Sequence, residues 1–172
     1  MIRIIACGHM KEKWMKDGLQ EYVRRISPYE KIEVVEVNDE KAPESNSAAQ
    51  NEQVKEKEGE RLLKQIRDTD YVILLDLAGK EWSSPEMAQF LQSLYNRNRN
   101  HIDFVIGGSL GVSRALIERA DYRWKISDCT FPHQLCRVMV SEQIYRCFRI
   151  LHHEPYHKSD RKRIKEGIEH DS

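Results

Sequence analysis

Strand and helix patterns that alternate along the chain, strand runs with little polar interruption, and glycine or polar turns where those runs end predict an α/β fold. The expected architecture is a three-layer, mainly parallel sheet with helices packed on it. A length of 172 residues suits one domain with a substantial core and is short for two. The expected division is a single domain over residues 1–157 and a polar tail over 158–172, with no internal repeat.

Met1 to Gly8 reads as a buried strand, because Ile2, Ile4 and Ile5 run into a closing glycine. Lys11 to Ser27 carries Met15, Leu19, Tyr22 and Ile26 at helical spacing, and Pro28 stops it. Lys31 to Asn38 sets Ile32, Val34, Val35 and Val37 among glutamates, a second strand. Asp39 to Asn51, with Pro43, Ser45, Asn46 and Ser47, has little to bury and reads as a mobile loop. Glu52 to Arg67 is a charge-rich helix whose apolar edge is Leu62, Leu63 and Ile66. Tyr71 to Leu77 is the third strand. The order Ser83, Ser84, Pro85, Glu86 then signals a helix start, with Met87, Phe90, Leu91 and Leu94 as the inner stripe. His101 to Ile106 is strand four, Ser113 to Arg119 a short helix, Tyr122 to Ile126 strand five, and Leu135 to Leu151 the closing helix. Lys158 to Ser172 is almost wholly polar and should be a frayed or marginally helical tail.

The 28 basic and 28 acidic residues cancel, so bulk charge points to neither nucleic acid nor membrane. The distribution is uneven: Asp39 to Glu60 holds seven acidic and three basic side chains, and Arg137 to Lys165 holds eight basic and three acidic. Four cysteines without a CxxC pair, no signal peptide and no apolar run of membrane-spanning length indicate a reduced, cytoplasmic protein with no membrane partner.

Two backbone-rich loops then come forward. Gly107, Gly108 and Gly111 follow strand four, where missing side chains let a ligand approach main-chain N–H groups. Their GGxxG spacing comes too late for a dinucleotide fingerprint, and Gly79 and Lys80 do not make a P-loop. An ordinary strand-to-helix turn would serve these glycines equally well. Asp76, at the end of strand three, could accept from a ribose or simply face solvent. In the second loop, Ser127, Asp128, Cys129 and Thr130 offer short polar groups for a base edge, while Phe131 and Pro132 supply an apolar wall. His133 and Gln134 follow at a helix start, where the charged imidazole is disfavoured; the ring is then either a neutral base or a helix cap. Together the loops read as a nucleotide-like cofactor pocket.

On the last helix, Glu142, Arg146 and Arg149 share one face, continued by Tyr156 and His157. Arginine forks and an aromatic surface suit phosphates and unpaired bases, so the set leans toward RNA, although any one of them could be a solvated side chain. The spacing of His153 and His157 invites a metal, but Pro155 ends the helix that it needs. Cys129 has no neighbouring cation to make it a nucleophile.

These loops, in this order, resemble the RlmH family of SPOUT-class methyltransferases. The match is carried by Val72 to Leu77, Phe104 to Gly111 with its Ile-Gly-Gly-Ser core, Thr130 to Gln134, the helix with Arg137, Glu142, Gln143, Tyr145 and Arg146, and Tyr156-His157-Lys158. Lys11 to Lys13 and Asp39 to Glu44 add to it. The resemblance implies a deep C-terminal trefoil knot, and a homodimer in which each active site borrows from its partner. It implies that S-adenosyl-L-methionine is held by Leu75, Asp76, Leu77, Gly107, Gly108, Ile126, Ser127, Asp128, Cys129, Thr130 and Phe131. His133, Glu142, Arg146, Tyr156 and His157 would position the substrate and handle its proton. That substrate would be a pseudouridine of 23S rRNA, methylated at N3 on the assembled ribosome, with no DNA partner and no metal. Chains of the family typically end just after Tyr-His-Lys, whereas this one runs on through Arg161, Lys162 and Arg163. A non-catalytic RNA- or ribosome-binding module is the alternative, and a nicotinamide oxidoreductase is disfavoured by the late glycines.

Overall fold

Five strands, β1 (Ile2–Cys7), β2 (Ile32–Val37), β3 (Tyr71–Lys80), β4 (Ile102–Ile106) and β5 (Tyr122–Trp124), form one sheet in the order β2-β1-β4-β3-β5. Every pairing is parallel, as the apolar strand runs predict. The computed structural model describes residues 1–41 and 47–158. Part of the expected mobile loop, residues 42–46, and the expected tail beyond Lys158 lie outside the described residues.

Among the described residues, five helices cover the sheet: α1 (Lys13–Ile26), α2 (Ala48–Gln65), α3 (Ser84–Asn96), α4 (Arg114–Arg119) and α5 (His133–Leu151). Strand side chains alternate between two apolar layers. Ile2, Ile4, Ile73 and Phe104 face Leu19 and Ile26 of α1, Met87 and Leu91 of α3, and Val140 and Ile144 of α5. Ile5, Cys7, Val72, Leu74 and Val105 face Leu62 of α2 and Leu116 of α4. This is the three-layer arrangement. Each fully buried isoleucine or leucine stabilises it by roughly 1.5–3 kcal/mol relative to exposure.

Boundaries differ from expectation where local hydrogen bonds decide them. α2 starts at Ala48, earlier than Glu52, because Ser47 and Gln50 form a reciprocal capping box. β3 runs on to Lys80 because Leu75 and Lys80 both align with Trp124, so residues 76–79 bulge from the ladder. β5 stops at Trp124, short of Ile126, and α5 starts at His133.

Candidate active site

Parallel pairing puts the carboxyl ends of all strands on one edge, and the order β4-β3-β5 makes three of those ends adjacent. A cavity of about 580 Å³ opens there. Leu75, Asp76 and Leu77 come from the β3 bulge, Gly107 and Gly108 from the turn after β4, and Ile126, Ser127, Cys129, Thr130 and Phe131 from the loop after β5. His133 and Cys136 of α5 complete the lining. The glycine turn closes on itself: the Gly111 N–H donates to the Gly108 carbonyl at 3.1 Å, and Gly111 has φ +103°, a conformation that other residues rarely adopt. A Cβ on Gly107 would stand 2.9 Å from the Gly111 carbonyl oxygen, so the turn cannot accept a side chain there without shifting.

Two expected cofactor residues, both carboxylates, are placed differently. Asp128 does not line the cavity; its carboxylate accepts from Lys125 Nζ at 2.6 Å and is 87% exposed. Asp76 does line it, and its carboxylate accepts from the Arg123 guanidinium at 2.6 Å and from the Ala78 N–H at 2.9 Å. The Ser127 hydroxyl likewise accepts from the Cys129 N–H and holds the loop in its turn.

His133 is half-buried, and burial first, then the Arg137 guanidinium, pull its pKa below the ordinary imidazole value. The ring is therefore neutral at physiological pH. Helix position had suggested the same direction, but the causes are desolvation and a buried cation. Arg137 itself is fully buried. It donates to Glu36 Oε2 at 2.7 Å, the Cys7 carbonyl at 2.6 Å and the Gly8 carbonyl at 2.8 Å, tying α5 to the ends of β1 and β2. Sequence reasoning named it only within the resemblance; an arginine on the apolar side of an otherwise buried helix stripe was the signal available.

Glu142, Arg146, Tyr156 and His157 do not line this cavity but form a second group. Arg146 bonds Glu142 Oε1 at 2.5 Å, approaches His157 Nδ1 at 3.2 Å, and lies over the Tyr156 ring at 4.7 Å. The Tyr156 hydroxyl donates to Glu142 at 3.2 Å. Burial, then Glu142, push the Tyr156 phenol up to about 12, so it acts as a donor and not as a base. Arg149, expected on the same face, instead pairs with Glu154 at 2.5 Å and Tyr29 at 3.1 Å. A smaller cavity of about 430 Å³, bounded by Tyr22, Trp82, Glu142 and Gln143, shares Trp124 and Ile126 with the first. From His133 to Arg146 is thirteen helical residues, about 20 Å along α5.

Glycines, backbone amides and apolar walls of this volume fit a nucleoside-bearing cofactor. Among the described residues no group of three His, Cys, Asp or Glu could hold a metal ion. A family model described as "Predicted SPOUT methyltransferase" matches residues 1–157. The chain belongs to the RlmH family of SPOUT methyltransferases. Its relatives include proteins named "Ribosomal RNA large subunit methyltransferase H". That from Alkaliphilus oremlandii is 52% identical, covering 91% of this chain and 99% of the relative. That from Clostridium acetobutylicum is 50% identical with the same coverage. That from Desulfitobacterium hafniense is also 50% identical, covering 91% and 98%. SPOUT methyltransferases generally use S-adenosylmethionine as the methyl donor. Among the described residues, no helix is long and apolar enough to cross a membrane.

Proposed function

We propose that the protein methylates 23S rRNA, using S-adenosylmethionine to modify N3 of a pseudouridine on the assembled ribosome. The observation that carries this is the convergence of Leu75, Gly107 and the 126–131 loop on one cavity, in a chain about half identical to large-subunit rRNA methyltransferases. When bound, the donor supplies a sulfonium methyl: the nitrogen–carbon bond forms as the carbon–sulfur pair returns to sulfur, and the imino proton leaves.

The chain's own residues orient and receive. Neutral His133 at the cavity edge can accept or relay a proton. Arg146, held by Glu142 and stacked on Tyr156, presents a guanidinium to a phosphate or base edge. Its contact with His157 Nδ1 leaves the proton of the neutral ring on Nε2, free to donate. Fixing the base in line with the methyl group supplies much of the rate. Because about 20 Å of helix separates His133 from Arg146, we read the active site as composite: a homodimer in which the Arg146 group of one protomer meets the donor cavity of the other. We also read the 126–132 loop, lying against the glycine turn, as part of a trefoil knot, residues 1–157 as a single methyltransferase domain, and the setting as cytoplasmic.

Ribosomes from cells lacking the protein, incubated with it and S-adenosylmethionine, should regain one methyl group at a pseudouridine, mapped by mass spectrometry of rRNA fragments. Donor binding without any methylation of ribosomes would favour a non-catalytic binding module.

A further inference from the structure

Glu58 belongs to α2 and is only 4% exposed. Its carboxylate accepts from two neutral donors, the Cys7 thiol at 3.2 Å and the Glu40 N–H at 3.1 Å. Among the described residues no cation pairs with it: Arg61 is taken by Glu40 and Arg137 by Glu36. A buried carboxylate without a counter-charge is costly, and a cationic ligand brought near it would offset that cost.

Its position says which ligand. A Cβ on Gly108 would stand 2.8 Å from Glu58 Oε1 and 3.0 Å from Oε2, so the carboxylate presses on the bare backbone of a residue that lines the donor cavity. The other carboxylate at that cavity, Asp76, is neutralised by Arg123. Glu58 is therefore the buried carboxylate beside this mostly apolar chamber that no cation pairs with among the described residues.

We propose that Glu58 sets the cavity's preference for a cationic sulfonium donor over its neutral thioether product. This rests on reading the cavity as the S-adenosylmethionine site. Glu58 acts through space as a specificity residue and does not touch the reacting atoms. Methyl transfer removes one positive charge from the ligand, so the attraction that holds the donor is absent for the product, which then leaves more readily.

Calorimetry on the full chain tests this with S-adenosylmethionine, S-adenosylhomocysteine and sinefungin, an analogue whose amine keeps a positive charge near the sulfur position. Glu58→Gln should weaken the donor and sinefungin on the order of tenfold while leaving S-adenosylhomocysteine within about twofold. Glu58→Asp, which keeps the charge, should keep the preference. If Glu58→Gln does not fold, Glu58→Ser gives the same comparison. Equal weakening of all three ligands, or an unchanged donor-to-product ratio, overturns the proposal, because a purely structural carboxylate would affect every ligand alike. If the wild-type chain binds none of the three, the cavity reading itself fails, whatever Glu58 does.

Discussion

Replacing Arg137 with methionine removes a fully buried guanidinium and keeps most of its volume. The Cys7 and Gly8 carbonyls lose the donors at 2.6 and 2.8 Å, and Glu36 loses its cationic partner while keeping the Met10 N–H. Breaking a buried, hydrogen-bonded ion pair costs about 3–5 kcal/mol. For a chain of this size that is about 10–15 °C in Tm, readable by urea and thermal denaturation. His133 provides an independent readout by NMR titration, since its pKa should rise once the neighbouring positive charge is gone. The sign for stability follows: the folded-state pKa lies below the unfolded value of 6.5, so this contribution is complete above 6.5 and is lost as pH falls from there toward the folded pKa. The variant should show less of that loss. A stability change below about 1 kcal/mol together with an unmoved His133 titration would refute the assigned role of Arg137.

Three further outcomes are expected. At the opposite edge of the sheet, burial and the adjacent Asp70 push Asp103 up to about 7 despite its bond to Arg3. A carboxyl with a raised folded pKa contributes stability at low pH that is lost as pH rises from 3.8 to about 7, so Asp103→Asn should flatten that decline in urea midpoints. Gly107→Ala, whose methyl would meet both the Gly111 carbonyl and Val112 at 2.9 Å, should weaken donor binding at least about tenfold by calorimetry. Arg146→Ala should lower kcat/KM on ribosomes by about a hundredfold, although Arg146 does not line its own protomer's cavity; full methylation by this variant would remove it from the scheme.

Strand runs such as Ile2 to Cys7 and Ile102 to Ile106 are buried on both faces, so their composition alone announced parallel strands, and the helix starts at Ser83 and Ser113 were legible from their capping side chains. The α2 start was missed because Ser47 and Gln50 sit in a stretch whose polarity suggested a loop; a capping box outweighs a few polar neighbours. The two loops could be read as one pocket from their places after strands, but the strand order that brings them together, with β3 between β4 and β5, is a non-local pairing that periodicity does not encode. In the sequence Asp76 reads as a ribose acceptor or a solvent-facing carboxylate and Asp128 as one of several short polar loop groups; their ion pairs with Arg123 and Lys125, 47 and 3 residues away, are not legible there. Glu58 looked like one more charge on a solvated helix and is instead buried beneath the glycine turn.

α5 is what makes these separate features one machine. Its first turn contributes His133 to the larger cavity, its second carries Arg137 into the β1 and β2 ends, and its later turns carry Glu142 and Arg146. In the composite reading α5 presents His133 and the Arg146 group to different sites of the dimer, so its orientation on the sheet has to be fixed for either site to align nitrogen with carbon. The buried contacts of Val140, Ile144 and Phe148 fix its position on the sheet, and the Arg137 bonds fix its rotation at the cavity end. Arg137 thus sets the direction of α5 and adds its charge to the burial that lowers the His133 pKa.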